Sequence, residues 1–266
     1  MILNKIAENI IYTKDLTIGY RTKNRISVIA ENINLSVQKG NMICILGKNG
    51  IGKSTLLRTL SKVQPKLKGE IYINNQSIES ISITELSKMM SLVLTEKIPE
   101  SNLKVYDLIA LGRQPYTNWI GKLTDDDINQ IEKAIKQTQV EDLLSKNHYE
   151  LSDGQYQKVM ITRSLSQNTE IITLDEPTAH LDILNKVEIF KLLKKLSAEL
   201  HKTLLISTHE IQLAIQLADE LWLMTDDKII CGSPKELIDN GSISNLFESE
   251  HIKFDANSKQ FIINEY

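Results

Sequence analysis

The amino-acid sequence predicts an α/β fold in which helices pack on a mixed, mostly parallel β-sheet. Three short runs are apolar at nearly every position, as in strands buried on both faces of a parallel sheet; they are residues 42–46, 171–174 and 203–206. Each run is followed by polar residues and then by a helical pattern. Over residues 183–200 the apolar side chains recur every three or four positions and line one helix face. Strands that alternate with helices in this way predict a layered α/β protein.

A second, antiparallel β subdomain is predicted beside the parallel sheet. Residues 10–37 contain segments in which apolar and polar side chains alternate, most clearly at 33–37. Such alternation is typical of strands with one buried face. The segment 69–78 predicts a hairpin that turns at Asn74-Asn75.

Helical patterns dominate the middle of the chain and predict a helical subdomain inserted into the α/β core. They cover residues 105–111, 125–137 and 155–166. We therefore expect residues 1–266 to form a single domain with three parts. These are a core with the antiparallel subdomain over about 10–96 and 168–240, the helical subdomain over about 97–167, and a C-terminal extension over 241–266.

Length and composition are those of an ordinary soluble globular protein. The chain has 266 residues, of which 41% are hydrophobic and 24% charged, with a formal net charge of −3. This charge gives no basic field, so nucleic acid is not expected as a partner. No apolar run approaches the roughly 20 residues that span a bilayer. Glu8 and Asp15 interrupt the apolar residues of the first 20 positions, so a signal peptide is not expected there. Cys44 and Cys231 are expected to be reduced core residues.

A glycine-rich loop directly follows the first apolar strand. Residues 47–55 read Gly-Lys-Asn-Gly-Ile-Gly-Lys-Ser-Thr, which matches the phosphate-loop pattern of glycine, four residues, glycine, lysine and serine. The glycines let backbone N–H groups close around phosphate oxygens, and the next helix directs its positive end at the anion. Lys53 is expected to reach the terminal phosphates, and the Ser54 hydroxyl to ligate Mg²⁺. The predicted P-loop NTPase core binds ATP through Gly47, Asn49, Gly50, Gly52, Lys53, Ser54 and Thr55.

Two acidic residues, Asp175 and Glu176, end the second apolar strand. In a phosphate-loop protein, Asp175 is expected to hold Mg²⁺ beside Ser54. Glu176 is expected to polarise the water that attacks the phosphate. A strand that ends in an ordinary solvated acidic turn has the same sequence pattern. The phosphate loop upstream is what favours the catalytic interpretation.

A third motif completes a resemblance to a known family. Residues 151–155 read Leu-Ser-Asp-Gly-Gln, and a helical pattern follows. At this spacing from the acidic strand end, the pentapeptide resembles the signature of the ATP-binding-cassette ATPases. Tyr20 resembles the aromatic residue that stacks on adenine, residues 179–182 resemble the loop after the catalytic acid, and His209 resembles the switch histidine. The motifs occur in the family's order, and the resemblance covers about residues 10–240.

The resemblance implies that the ATPase works as a head-to-tail dimer, either with a second copy of itself or with another cassette subunit. In the family, each ATP lies between the phosphate loop of one subunit and the signature of the other. His209 would contact the γ-phosphate and Glu176, and both would act in catalysis together with Lys53. The nucleotide-binding residues that the resemblance implies at this interface are Ser152, Gly154, Gln155 and Asp182.

The sequence departs from the family pattern at the strand that leads into the helical subdomain. Most members carry a glutamine there, which ligates Mg²⁺ and communicates with the membrane subunit. The matching position here is Thr95, and Glu96 follows it. Either the Thr95 hydroxyl ligates Mg²⁺, or Glu96 turns in instead; the sequence leaves both open. The third signature position is Asp153, where the family has glycine.

Two stretches, residues 108–116 and 175–183, resemble importers of iron–siderophore, haem and cobalamin. This similarity implies an ATPase subunit bound peripherally at the cytoplasmic face of the membrane. Residues 95–116 would contact an integral membrane permease, and a substrate-binding protein would deliver the cargo from outside.

Two other functions stay open. One is a soluble cassette ATPase in DNA repair, ribosome work or iron–sulfur assembly, although the chain has neither tandem cassettes nor long coiled coils nor a basic stripe. The other is a non-catalytic module that nucleotide merely gates. Against this second function, Lys53, Asp175, Glu176 and His209 are all present.

Overall fold

In the computed structural model of the protein, residues 9–23, 25–96, 98–247, 251–256 and 258–263 are described. Their strands, numbered along the chain, are β1 (Asn9–Arg21), β2 (Ile26–Ile33), β3 (Ser36–Gln38), β4 (Met42–Leu46), β5 (Lys68–Ile73), β6 (Gln76–Ser77), β7 (Met90–Val93), β8 (Ile171–Asp175), β9 (Thr203–Ser207), β10 (Glu220–Met224), β11 (Ile229–Gly232), β12 (Ile252–Asp255) and β13 (Gln260–Ile263). Their α-helices are α1 (Lys53–Leu60), α2 (Ile83–Met89), α3 (Val105–Ala110), α4 (Asp125–Thr138), α5 (Asp153–Ser166), α6 (Ile183–Leu200), α7 (Ile211–Leu217), α8 (Pro234–Asp239) and α9 (Ser242–Phe247).

A six-stranded sheet forms the centre of the fold. Its order is β11-β10-β4-β9-β8-β7, and all neighbours are parallel except the edge pair of β10 and β11. Every residue of β4, β8 and β9 is buried. Alternate side chains of β4 enter the cores on opposite faces of the sheet, as the pleat of a strand dictates. The predicted α/β fold with a mixed sheet is confirmed.

The antiparallel sheet covers one face of the central sheet, with α1 between them. Its order is β2-β1-β5-β6, and β3 also pairs with β1. Side chains from β1, β4 and α1 share one buried cluster. β5 and β6 form the hairpin that the sequence predicts. Asn74 and Asn75 at its turn have φ angles of 49° and 63°, the left-handed values that a tight hairpin turn requires.

Helices α3, α4 and α5 pack together on the other side of the fold, and α5 also contacts β7. A 3₁₀ segment, Leu111–Tyr116, directly follows α3 and packs against this group. Its Arg113 is buried, donates through Nε to Asp127 at 2.8 Å and through Nη1 to the Ser166 carbonyl at 3.1 Å. The guanidinium also lies 3.9 Å from the ring centroid of Tyr116. Arg113 therefore fastens the segment to both α4 and α5.

The longest described helix, α6, follows the predicted bounds. Asp182 caps its N-terminus, and His201 ends it in the left-handed conformation at φ 52°. Phe190, Leu193 and Leu196 are buried on one face, as the periodicity predicts. Within the described ranges, no helix is both long enough and apolar enough to cross a membrane.

The C-terminal elements join the main core. Leu237 of α8, Ile243 of α9 and Phe254 of β12 are buried in the same cluster as side chains of β10. Cys44 is a buried free cysteine of β4, as expected, but Cys231 is exposed. The prediction of a second core cysteine is wrong because Cys231 lies on β11, the edge strand of the sheet.

Candidate active site

The topology of the central sheet brings three distant motifs together. Strands β4, β9 and β8 are parallel neighbours, so their carboxyl ends lie side by side. β4 leads into the glycine-rich loop, β8 ends at Asp175, and His209 follows β9. This edge is the usual location of ligand sites in open α/β sheets.

The glycine-rich loop ends at the N-terminus of α1, which is open to an anion. Gly50 and Gly52 have φ angles of 76° and 111°, which residues with a Cβ rarely adopt. A Cβ on Gly52 would also lie 2.3 Å from Ile29 Cγ2. Gly52 is the N-cap of α1, and no side chain caps the helix. The N–H groups of its first turn therefore remain available to phosphate oxygens.

The ammonium group of Lys53 folds back over this loop. Its Nζ donates to the backbone oxygens of Gly47 at 3.1 Å and Lys48 at 3.3 Å, and lies 3.2 Å from His209 Nε2. The side chain is only 4% exposed. Burial lowers the pKa of Lys53, and the nearby carboxylates of Glu176 and Asp175 oppose that shift. Lys53 thus donates to two loop carbonyls, and an anion bound in the loop can accept these hydrogen bonds in their place.

Hydroxyl and carboxylate oxygens meet at the end of β8. Asp175 is buried, and its Oδ1 accepts hydrogen bonds from Ser54 Oγ and Ser207 Oγ, both at 2.7 Å. Thr95 Oγ1 donates to the backbone oxygen of Asp175 at 2.7 Å. Hard oxygen donors from one carboxylate and one hydroxyl fit Mg²⁺, which in proteins binds few carboxylates and completes its shell with water and phosphate. The described residues contain no cluster of three or more His, Cys, Asp or Glu side chains that could hold a metal ion.

Glu176 and His209 form a contact pair beside Lys53. The Glu176 backbone has a φ of 46°, and its N–H donates to both the carbonyl and the hydroxyl of Ser207. His209 Nε2 lies 2.7 Å from Glu176 Oε1, which is 4.0 Å from Lys53 Nζ. His209 Nε2 therefore faces both the Lys53 ammonium and the Glu176 carboxylate. It can accept a hydrogen bond from Lys53 or donate one to Glu176, but it cannot do both at once. The proton on His209 and the position of Lys53 are consequently linked.

Most of the predicted nucleotide-binding residues line one cavity of about 520 Å³. The Tyr20 hydroxyl lies 2.9 Å from Thr55 Oγ1, and its ring is half exposed at the cavity edge. The residues around this cavity are Tyr20, Ile29, Asn49, Gly50, Gly52, Lys53, Ser54, Thr55, Glu176 and His209. All except Ile29 were singled out by the sequence motifs.

The signature residues and Asp182 lie elsewhere in the chain. Ser152 caps α5, and its capping box with Gln155 pairs each side chain with the other's backbone N–H. Asp182 caps α6 by accepting from Asn185 N and Nδ2, both at 2.8 Å. A Cβ on Gly154 would lie 2.4 Å from Asn185 Oδ1. Gly154 and Asp182 thus share Asn185 as a neighbour. Within one chain, none of the four residues lines the cavity at Lys53.

A second cavity, about 590 Å³ in volume, lies between α4, α5 and α6. It is larger than the one at Lys53 and includes Gly154, Gln155, Lys158 and Asn185, but no residue of the phosphate loop. The smaller cavity is the one that carries reactive side chains, because Lys53, Ser54, Glu176 and His209 all line it.

Three residues of the site were not identified from the sequence. Ser207 ends the third apolar strand, so its place next to Asp175 follows once the strand order is known. Arg58 of α1 contacts Asp175 and Glu96, and it belongs to none of the sequence motifs. Ile29 of β2 contacts Gly52, and nothing in the sequence pattern points to that contact.

Comparison with known proteins gives matches over most of the chain. The sequence profile described as ABC transporter matches residues 30–179. The petrobactin import ATP-binding protein YclP of Bacillus subtilis is 36% identical, over 83% of this chain and 87% of its own length. The iron(3+)-hydroxamate import ATP-binding protein FhuC of the same organism is 34% identical, over 79% of this chain and 77% of its own. A solved dimeric structure of a bacterial ABC transporter cassette is 27% identical, with a TM-score of 0.72 over 84% of this chain and 98% of that one.

Proposed function

This chain is an ATP-binding and ATP-hydrolysing member of the ABC transporter family, and we propose that it energises a membrane importer for an iron chelate. The observation that carries the chemistry is the convergence of Lys53, Ser54, Glu176 and His209 on one cavity, with Asp175 hydrogen-bonded to Ser54. The cargo class is supported by the import of petrobactin and iron(3+)-hydroxamate stated for the two Bacillus subtilis relatives.

ATP binding would exchange hydrogen bonds within the loop. The ring of Tyr20 would support adenine at one end of the cavity, and the N-terminus of α1 would receive the phosphates at the other. Lys53 would release the carbonyls of Gly47 and Lys48 and donate to phosphate oxygens instead. Hydrogen bonds between two charged groups are stronger than those to a neutral carbonyl, so the exchange favours the bound state.

Glu176 would act as the general base. Its N–H contacts with Ser207 and its 2.7 Å contact with His209 fix the carboxylate, which would take the proton of the water that attacks the γ-phosphate. When Lys53 moves to the phosphate, His209 Nε2 loses its competing partner and is free to donate to Glu176. Mg²⁺ held by Ser54 and Asp175, with Thr95 or Glu96 nearby, would neutralise charge that develops on the phosphates.

The functional unit would be a head-to-tail pair of cassettes. Ser152, Gly154, Gln155 and Asp182, which do not reach the cavity of their own chain, would complete the cavity of a second copy. Residues 95–116, at the start of the proposed helical subdomain over about 97–167, would contact an integral membrane permease subunit, and the pair of cassettes would bind two such subunits. The chain would sit peripherally on the cytoplasmic face of the membrane, with a substrate-binding protein on the far side.

Reconstitution of transport tests this function. The tagged chain is purified from detergent-solubilised membranes, the co-purifying permease is identified, and the complex is placed in proteoliposomes with its binding protein and a ⁵⁵Fe-labelled siderophore. We expect uptake that requires ATP and is lost in Lys53→Ala but kept in Glu199→Gln, an exposed α6 variant far from the loop. A chain that hydrolyses ATP yet never associates with a permease would contradict the transport role. That result would favour the alternative, a cassette ATPase not coupled to transport.

A further inference from the structure

Three charged side chains meet beside the proposed Mg²⁺ site. Arg58 Nη2 lies 3.4 Å from Glu96 Oε1 and 3.9 Å from Asp175 Oδ2. Arg58 comes from α1, Glu96 from the segment after β7 and Asp175 from the end of β8, so the contact joins three separate parts of the site. The Asp175 side chain is 4% exposed and that of Glu96 is 76% exposed. Of these two carboxylates, only that of Glu96 is therefore free to move.

Thr95, which stands where the family has glutamine, has a short reach. Its hydroxyl hydrogen is donated to the Asp175 backbone oxygen at 2.7 Å, which holds the side chain against the backbone of β8. Glu96 carries a longer side chain with a full negative charge. Of these two residues, Glu96 is the one that reaches the charged groups around the Asp175 carboxylate.

Arg58 is shared between the two carboxylates without being fixed to either. Its Nε is buried and makes no hydrogen bond to any described residue, so the guanidinium has no bidentate partner that would lock it. A divalent cation on Asp175 would lie within several ångströms of this guanidinium. At such distances in a partly buried site, like charges repel strongly. Arg58 must then move away from Asp175, and Glu96 offers the compensating charge on the solvent side.

We propose that Arg58 and Glu96 are positioning residues for Mg²⁺. Arg58 neutralises Asp175 before the metal arrives, and Glu96 draws Arg58 away when Mg²⁺ and ATP enter. Glu96, rather than Thr95, thereby compensates for the glutamine that this chain lacks. This role rests on the proposed function, because it concerns the metal that accompanies ATP.

The Mg²⁺ dependence of ATP binding tests this pair. Binding of a fluorescent ATP analogue is measured against Mg²⁺ concentration in a Glu176→Gln background, so that hydrolysis does not interfere. Glu96→Gln leaves Arg58 on Asp175, and we expect the half-saturating Mg²⁺ concentration to rise two- to fivefold, the range of an exposed ion pair. Arg58→Gln removes the competing cation, and the same quantity should fall. Glu100→Gln, an exposed carboxylate in the same segment, is the matched control.

The double variant separates action through Arg58 from direct action on the metal. Adding Glu96→Gln to Arg58→Gln should change the Mg²⁺ dependence by less than Glu96→Gln does alone, because the two residues are energetically coupled. An equal effect in both backgrounds would overturn the inference, since Glu96 would then act on Mg²⁺ without Arg58. So would a Glu96→Gln curve that matches the Glu100→Gln control. Absence of ATP binding in the parent protein at any Mg²⁺ concentration would instead overturn the proposed function.

Discussion

Replacing Glu176 by glutamine removes one charge and one proton acceptor while the size of the side chain stays nearly the same. A glutamine oxygen can still accept from His209 Nε2, which lies 2.7 Å from Glu176 Oε1, so the geometry of the site should persist. General-base catalysis typically contributes a factor of 10²–10⁴, or about 3–5 kcal/mol of activation free energy. We therefore expect the ATP turnover number to fall by about 10²- to 10⁴-fold.

ATP affinity should hold or increase in the same variant. Lys53 Nζ lies 4.0 Å from Glu176 Oε1, and unit charges at that distance attract by about 4 kcal/mol at an effective dielectric constant of about 20, less any screening by water. Without this attraction, and without the negative charge facing the γ-phosphate, Lys53 is freer to bind phosphate. The assays are phosphate release and equilibrium ATP binding, with Glu199→Gln as the control. A turnover number within about tenfold of the wild-type value, or a loss of ATP binding, would refute the assigned base.

Three further outcomes are expected. Lys53→Ala should abolish turnover or weaken ATP binding at least tenfold in a filter-binding assay, and normal values for both would mean that the loop is misassigned. Arg113→Ala leaves Asp127 buried without its ion partner, which should cost about 3–5 kcal/mol of unfolding free energy in a denaturant titration; a cost below about 1 kcal/mol would mean that the pair is not structural. Burial alone raises the pKa of Asp127, but hydrogen bonds from Thr124 and Arg113 outweigh burial and hold it below its ordinary value of 3.8. The stability from this ionised group is therefore present above pH 3.8 and lost as the pH falls through the lowered pKa. The loss of unfolding free energy in Asp127→Asn should shrink over that pH range. A difference in unfolding free energy between Asp127→Asn and the wild type that does not change with pH would contradict this assignment.

The sequence predicts the fold and the phosphate end of the site because both depend on local chemistry. Buried parallel strands are apolar throughout, and their order then dictates that the loop after β4 meets Asp175. Gly50 and Gly52 can be predicted as loop residues because their backbone conformations exclude most other residue types. Lys53 and Ser54 follow from their fixed spacing to those glycines.

Other features of the site depend on contacts that no local pattern encodes. Whether Thr95 or Glu96 faces Asp175 is decided by the direction of the backbone after β7. Arg58 carries no motif of its own, and its role is visible only when Glu96 and Asp175 are seen on either side of it. Gly154 is needed because Asn185 packs against it across two helices. Such pairings are set by tertiary packing, which single-sequence patterns do not contain.

Complementation between two inactive variants tests most directly whether a complete site requires two chains. Lys53→Ala disables the phosphate loop, and Ser152→Asp places a negative charge where the signature would meet the γ-phosphate, while aspartate remains a good N-cap for α5. Each variant alone should be inactive. Mixed in equal amounts, they should regain about a quarter of the wild-type ATPase rate, since half of the random dimers contain one intact site of two. A mixture no more active than its separate components, or full activity of Ser152→Asp alone, would contradict a site shared between two copies of this chain.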